Sequence, residues 1–149
     1  MALPRRITIH ELGPREGMQI EKNPVATSEK VRLVDMLSEC GFPEIEVTSF
    51  VSPKWVPQMA DAEDVVAGIQ RAPGTRYTGI YLNTQGMQRA IMTGKLDVEG
   101  SLSITASDAF SRRNTNRSID ESFAETHKRI EGFERFGIKP HEVSVMAAF

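Results

Sequence analysis

The amino-acid sequence predicts an α/β fold with a parallel sheet, and three observations support this prediction. Strand patterns and helix patterns alternate along the 149 residues. Several of the helix patterns carry a capping residue at the start or a Gly at the end. No solenoid repeat, low-complexity tract or linker interrupts the alternation. Alternation of this kind implies parallel strands that are joined by right-handed crossovers.

The first part of the chain contains two strand–helix units. The alternating run RITIHEL predicts a strand near residues 5–11. SEKVRLVDMLSECG then predicts a helix that stops at Gly41, with Cys40 as a small core residue. PEIEVTSFV predicts the second strand over 44–49. DAEDVVAGIQRAPG predicts a second helix, for which Asp61 is the candidate N-cap.

A third unit and a weaker fourth strand follow. RYTGIYLN predicts a strand over 77–82, and TQGMQRAIMTG predicts a short helix. DVEGSLSITAS predicts the fourth strand over 97–105. The residues after it, including 112–114, are expected to form a long loop.

The clearest helix is SIDESFAETHKRIEGFERFG. It opens with a capping box of Ser118 and Glu121 and closes at Gly137. HEVSVMAAF then predicts a fifth strand over 142–147. A doubly wound sheet and a barrel both fit this order, and so does a small open sheet of five strands. A complete eight-unit barrel needs roughly 200 to 250 residues, so this chain would be the front part of one.

Composition excludes several functional classes. The 18 Lys and Arg residues nearly balance 20 Asp and Glu residues, and no basic block indicates a nucleic-acid partner. The sequence has no long apolar run and no secretion signal, so we expect no membrane partner and a cytoplasmic location. A single cysteine excludes an internal disulfide and a Cys-rich zinc site. Neither the dinucleotide-binding fingerprint nor the phosphate-binding P-loop is present.

The stretch GPREGMQ places Arg15, Glu16 and Gln19 directly after the first strand. These side chains belong either to a solvated turn or to a ligand site at the carboxyl end of a barrel strand. Glu46 alternates with apolar neighbours on a strand that should be buried on both faces. A carboxylate in such a place needs a partner, and Arg15 is the obvious one; an exposed edge position for Glu46 is the alternative.

Several motifs together closely resemble the N-terminal half of the 3-hydroxy-3-methylglutaryl-CoA lyase family, in the metal-dependent lyase and aldolase superfamily. They are GPREGMQ, EKNP and IEVTSFVSPKWVPQMAD, followed in the family's order by SLSITASDAFSRRNTNRSIDES and SVMAAF. The resemblance implies a (β/α)8 TIM barrel, of which about the first four and a half units are present. Residues 1–149 would then be the N-terminal part of a single barrel domain.

The resemblance also implies an activity and a set of site residues. Members of the family split 3-hydroxy-3-methylglutaryl-CoA into acetyl-CoA and acetoacetate with Mg²⁺ or Mn²⁺, so the expected partner is an acyl-CoA substrate. The family's site maps onto six positions, with Arg15, Glu46 and Gln19 as catalytic residues, Ser49 and Lys22 as substrate-binding residues, and Glu16 as a metal ligand. An open edge at the fifth strand also favours a homo-oligomer.

This sequence departs from the family's pattern in two ways. The lyases usually carry Asp where Glu16 stands, whereas related condensing enzymes such as homocitrate synthases read Arg-Glu-Gly. The later His-x-His pair, Asn and catalytic Cys of the lyases have no counterpart here. We therefore expect residues 1–149 alone to show no turnover and to bind Mg²⁺ or Mn²⁺ weakly. A condensing enzyme or aldolase that acts on a 2-oxo acid, and a non-catalytic half-barrel, are the alternatives.

Overall fold

The computed structural model describes residues 3–148, and the N-terminal two residues and residue 149 lie outside it. Strands and helices alternate as the sequence predicts. In chain order they are β1 (His10–Glu11), α1 (Thr27–Glu39), β2 (Glu44–Ser49), α2 (Ala62–Gly68), β3 (Arg76–Ile80), α3 (Thr84–Met92), β4 (Gly100–Thr105), α4 (Asp108–Thr115), α5 (Ile119–Phe136) and β5 (Pro140–Met146). A short helical turn, Gly13–Gly17, follows β1, and a 3₁₀ turn, Pro57–Met59, precedes α2.

The strands pair in parallel, as expected for β/α units. β2 lies between β1 and β3 in one sheet, and β4 pairs with β5 in a second. Within residues 3–148, backbone ladder pairing is interrupted between β3 and β4. The strands of a continuous barrel wall are therefore present, but the wall is divided into pieces of three strands and two.

Individual hydrogen bonds bridge this interruption. Tyr77, on β3, accepts a hydrogen bond at its backbone carbonyl from the backbone N–H of Asp97 at 2.7 Å. The Asp97 carboxylate accepts the Tyr77 backbone N–H at 2.8 Å. Directly after β3, the Tyr81 hydroxyl donates to the backbone carbonyl of Glu99. The residues just before β4 therefore occupy the place where ladder hydrogen bonds would otherwise form.

The hydrophobic core lies between the sheet and the helices. Ile45 and Val47 on β2 are buried against Val34 of α1 and against Val65 and Val66 of α2. The alternate residues of β2 point to the opposite face, because successive side chains on a strand point to opposite faces. The helices thus cover one face of the sheet, and the other face remains available to line a cleft.

The first strand is shorter than predicted. Only His10–Glu11 pairs with β2, whereas the sequence pattern spans residues 5–11. Ile7 and Ile9, which produce that pattern, are exposed. Alternation reports which residues suit a strand, but ladder pairing requires a neighbour, and β1 has one on a single side within the described residues.

The expectation of a loop after β4 is wrong. Residues 112–114 lie in α4, which begins where the Ser107 hydroxyl accepts the backbone N–H of Phe110. Asn116 ends this helix in the left-handed conformation, with φ of 55°. Ser before a helix and Asn after it are ordinary start and stop residues, so the sequence contained the signals for a short helix.

Two side-chain expectations for the first helices are also wrong. Cys40 is exposed rather than part of the core, because it follows the last turn of α1, beyond the buried face. Asp61 stands before α2 but does not cap it. Its carboxylate instead accepts from Thr27 at 2.7 Å and from Lys30 at 2.6 Å, which ties α1 to the start of α2. No helix in residues 3–148 is both long and apolar enough to cross a membrane.

Candidate functional site

The helical turn after β1 positions the first polar side chains. Its backbone is fixed by the Leu12 carbonyl, which accepts from the N–H groups of Arg15 at 3.1 Å and Glu16 at 2.7 Å. Pro14 is buried at the start of the turn, and Gly13 donates its N–H to the Glu11 carboxylate at 2.5 Å. GPREG is therefore an ordered turn rather than a solvated loop, and it holds Arg15 beside β2.

Arg15 and Glu46 form the central pair of the site. The Arg15 Nε donates to Glu46 Oε1 at 2.5 Å, as the strand pattern led us to expect. The two side chains are only 14% and 15% exposed. Arg15 also contacts the carboxylate of Glu16. Two carboxylates therefore hold one guanidinium in a fixed orientation, which is the requirement for a preorganised cation.

This pair lies on the wall of a cleft of about 520 Å³. Many of its lining residues lie on or beside β2 to β5. Most of them are polar, and they include Glu44, Glu46, Thr78, Glu99, Ser101, Ser103, Glu142 and Ser144. Apart from Glu46, sequence reasoning missed these residues, although polar side chains at every second position of β4 and β5 indicate a polar strand face. A cleft of this size, with several convergent polar groups, suits a small ligand.

The other predicted site residues do not line this cleft. Gln19 is partly buried just beyond the turn, and Lys22 is exposed. Ser49 ends β2 and is 1% exposed, and its hydroxyl has no hydrogen-bond partner. The structure thus brings Arg15, Glu16 and Glu46 into contact, whereas the remaining three residues lie around them.

The residues of this chain do not by themselves fit a bound divalent ion. No three His, Cys, Asp or Glu side chains in the described range are grouped as metal ligands would be. Glu16, the predicted ligand, is 57% exposed and already paired with Arg15. One carboxylate with water molecules would hold Mg²⁺ weakly, because the ion dehydrates reluctantly.

A row of polar and ionisable side chains crosses the opposite end of the cleft. Near the amino ends of the strands, His10 Nδ1 lies 3.4 Å from Glu44, and Arg76 lies 3.4 Å from the same carboxylate. Arg76 also contacts Glu99, and His141 Nε2 lies 3.5 Å from Glu99. The row runs from β1 through β2 and β3 to Glu99, directly before β4, and on to β5, so it spans the interruption between β3 and β4.

Parallel β/α units with a polar inner face and a held cation at a strand end define the chain as part of a (β/α)8 barrel. The family model described as HMGL-like matches residues 6–149. The chain therefore belongs to the HMGL-like family.

Curated relatives are similar in the same region. The mitochondrial hydroxymethylglutaryl-CoA lyase of Rattus norvegicus is 53% identical over 121 residues, which are 81% of this chain and 37% of that protein. A 3-hydroxy-3-isohexenylglutaryl-CoA/hydroxymethylglutaryl-CoA lyase of Pseudomonas aeruginosa is 48% identical over 82% of this chain and 40% of that protein. This chain thus spans less than half the length of the curated relatives it matches.

Solved structures agree with the fold. The HMG-CoA lyase of Bacillus subtilis matches with a TM-score of 0.85 at 34% identity, over 96% of this chain and 48% of that one. The Pseudomonas aeruginosa lyase matches with a TM-score of 0.83 at 41% identity, over 96% and 47%. An Acinetobacter baumannii HMG-CoA lyase, solved with coenzyme A and 3-methylmalate, matches with a TM-score of 0.81 at 34% identity, over 93% and 44%.

Proposed function

We propose that this chain supplies the Arg15 side of the active site of a carbon–carbon lyase, as the N-terminal part of one barrel domain. The reaction is the retro-aldol cleavage of 3-hydroxy-3-methylglutaryl-CoA to acetyl-CoA and acetoacetate. The observation that carries the proposal is the Arg15–Glu46 pair, held on the cleft wall at the carboxyl end of β1. Membership of the HMGL-like family and about 50% identity to lyases support it.

The chemistry requires a cation where negative charge develops. A base removes the proton of the 3-hydroxyl group, its oxygen becomes the ketone of acetoacetate, and the C2–C3 bond breaks. The bonding electrons pass to the acetyl-CoA fragment as an enolate, which is then protonated. Arg15 stabilises negative oxygen in this sequence, and Glu46 acts through Arg15 as a positioning residue. Such a donor, fixed before the reaction, needs no reorganisation when the charge appears.

The remaining predicted roles are parts of the same proposal. The unpartnered, buried hydroxyl of Ser49 supports a substrate contact, and Gln19 and Lys22 are proposed to approach the substrate from the loop after β1. An acyl-CoA ligand is supported by the coenzyme A complex of the Acinetobacter baumannii relative.

Glu16 is proposed as one ligand of Mg²⁺ or Mn²⁺, a Lewis acid that would polarise a substrate oxygen when bound. The described residues alone do not fit the ion. Homo-oligomer formation and a cytoplasmic location are also proposed. The Rattus norvegicus relative is named a mitochondrial protein.

The test compares variants of the full gene product in acetoacetate formation from 3-hydroxy-3-methylglutaryl-CoA. Arg15→Lys keeps the charge but loses the fork of donors, so we expect kcat to fall about 100-fold or more. Arg113→Lys, an exposed change on α4, is the matched control and should leave kcat unchanged. Equal kcat values for the two variants would refute the role of Arg15.

Glu16 stands where the lyases usually carry Asp. This difference favours a second candidate function, a condensing enzyme or aldolase that uses a 2-oxo acid. The same preparation is therefore assayed with 2-oxo acids. Turnover of a 2-oxo acid without cleavage of the thioester would establish this alternative. The isolated chain of residues 1–149 should show neither activity.

A further inference from the structure

A second guanidinium lies in the cleft wall, and the proposed lyase reaction does not use it. Arg129 belongs to the buried face of α5 and is only 4% exposed, yet it lines the cleft. Its Nε has no hydrogen-bond partner. The ion pairs found in residues 3–148 do not include it. A buried charge without a carboxylate partner is costly, so its presence requires an explanation.

The interruption of the sheet explains how Arg129 reaches the cleft. α5 packs on β4 and α3, outside the barrel wall, where a helix residue would normally be separated from the interior. Between β3 and β4 no ladder closes the wall in the described residues. Arg129 lies at this opening and also lines an adjoining recess of about 40 Å³. The recess presents further hydrogen-bonding groups, from Ser103, Asn114 and Ser122.

The acidic groups near Arg129 either have another hydrogen-bond partner or are neutral. The carboxylate of Glu125, one helical turn away, accepts the backbone N–H of Thr84 at 2.7 Å and its hydroxyl at 2.9 Å. Burial raises the pKa of Tyr81 to about 12, so this phenol is neutral at pH 7. Arg117 adds a second positive charge to the recess. Two guanidinium groups and one carboxylate leave the recess with one net positive charge.

We propose that Arg129 forms a carboxylate-binding subsite in the cleft wall between β3 and β4. A net charge of one suits a monoanion, and a planar guanidinium pairs well with a carboxylate. A recess of about 40 Å³ suits one carboxylate group rather than a larger anion. The subsite is distinct from Arg15, whose guanidinium already has two carboxylate partners. Its ligand is a small monocarboxylate, and binding does not depend on turnover.

The test observes the Arg129 Nε–H signal in ¹H–¹⁵N NMR spectra of the chain at pH 7. Sodium 3-hydroxybutyrate is the probe, with sodium chloride at matched ionic strength and inorganic phosphate as separate arms. The signal is assigned by its loss in Arg129→Lys and its retention in Arg113→Lys. We expect a saturable shift with 3-hydroxybutyrate and no comparable shift with chloride. An equal shift with chloride, no shift, or saturation with phosphate alone would overturn the proposal.

Thermal unfolding of Arg129→Met gives a second readout. Met fills a similar length without charge, so the variant should unfold at the same temperature as the unmodified chain or higher when no carboxylate is present. Added 3-hydroxybutyrate should raise the unfolding temperature of the unmodified chain only. A folded variant with a clearly lower unfolding temperature indicates a structural role and counts against the proposal. If the variant fails to fold, the NMR titration of the unmodified chain decides alone.

Discussion

The position of Glu46 on β2 requires a cation beside it, and Arg15 is that cation. Glu46 points away from the helices, into a cleft that contains several other carboxylates. Without Arg15, Glu46 would lie among charges of its own sign, which repel one another. The guanidinium therefore balances the charge of Glu46, and Glu46 in turn keeps the guanidinium oriented. Each residue is placed by the charge of the other.

Glu46→Gln tests this mutual dependence. The amide keeps the shape of the side chain but not its charge, so the partly buried Arg15 loses one of its two ionic partners. We expect the free energy of unfolding to fall by about 2 kcal/mol, the usual cost of a poorly satisfied buried group. The measurement is urea denaturation at pH 7. Glu131→Gln, exposed on α5, is the control, and an equal midpoint for both variants would contradict the pairing.

Arg15 and Arg129 both line the cleft, but the sequence predicts the environment of Arg15 and not that of Arg129. Arg15 follows a strand, and the nearby buried Glu46 required a partner, so two local patterns identified it. Arg129 occupies a helical position whose neighbours on the same face, Gly132 and Phe133, are buried. Sequence reasoning places an arginine on the solvent side of such a helix. Its actual environment depends on the opening between β3 and β4, which no local pattern reports.

The elements predicted best are those that local signals define. The capping box of α5 forms as expected, with Ser118 and Glu121 each bonded to the other's backbone N–H. Strand boundaries were less predictable, because a strand ends where its neighbour ends. β3 begins with Arg76 and ends at Ile80, against a predicted 77–82, and β4 begins at Gly100 rather than 97. Residue 97 instead has a bridging role, since its carboxylate binds Tyr77.

The contact between α2 and α3 gives a pH-dependent prediction. The Arg89 guanidinium donates to both oxygens of Glu63, at 2.5 and 2.8 Å, and this hydrogen bonding lowers the pKa of Glu63 below its ordinary value of 4.5. The pair therefore contributes stability above pH 4.5, and the contribution is lost as the pH falls through the lowered pKa.

Glu63→Gln isolates this contribution. At pH 7 the variant should unfold at a lower urea concentration than the unmodified chain, and the difference should shrink as the pH is lowered below 4.5. Asp64→Asn, the exposed neighbour on α2, serves as the control. A difference that stays constant between pH 7 and pH 3 would show that the pair is not the source.

The molecule as a whole consists of two sheet pieces, which a few hydrogen bonds and ion pairs join. Asp97 makes the clearest connection between them, because its carboxylate accepts hydrogen bonds from the Tyr77 backbone N–H at 2.8 Å and from Arg71 at 2.6 Å. The row from His10 to His141 crosses the same division at the amino ends of the strands. The width of the cleft therefore depends on a few charged contacts as well as on backbone pairing.

Asp97→Ala should weaken this connection between the two sheet pieces. Without the carboxylate, the Tyr77 backbone N–H loses its acceptor, so its hydrogen exchange should become at least several-fold faster. Amides within the β2–β3 ladder should keep their protection. Glu131→Ala, exposed on α5, is the control for removal of a charge. Equally faster hydrogen exchange at every amide would indicate global destabilisation rather than loss of a local contact.

The interruption between β3 and β4 also has a consequence for the order of folding. Each backbone ladder joins strands that are successive along the chain, β1 to β2, β2 to β3, and β4 to β5. Contacts between successive elements close short loops, which form quickly. A division of the polypeptide at Gly94, in the turn after α3, would leave every one of these ladders within a single fragment. Backbone ladder pairing is therefore complete within each fragment, whereas the cleft forms only where the two fragments meet.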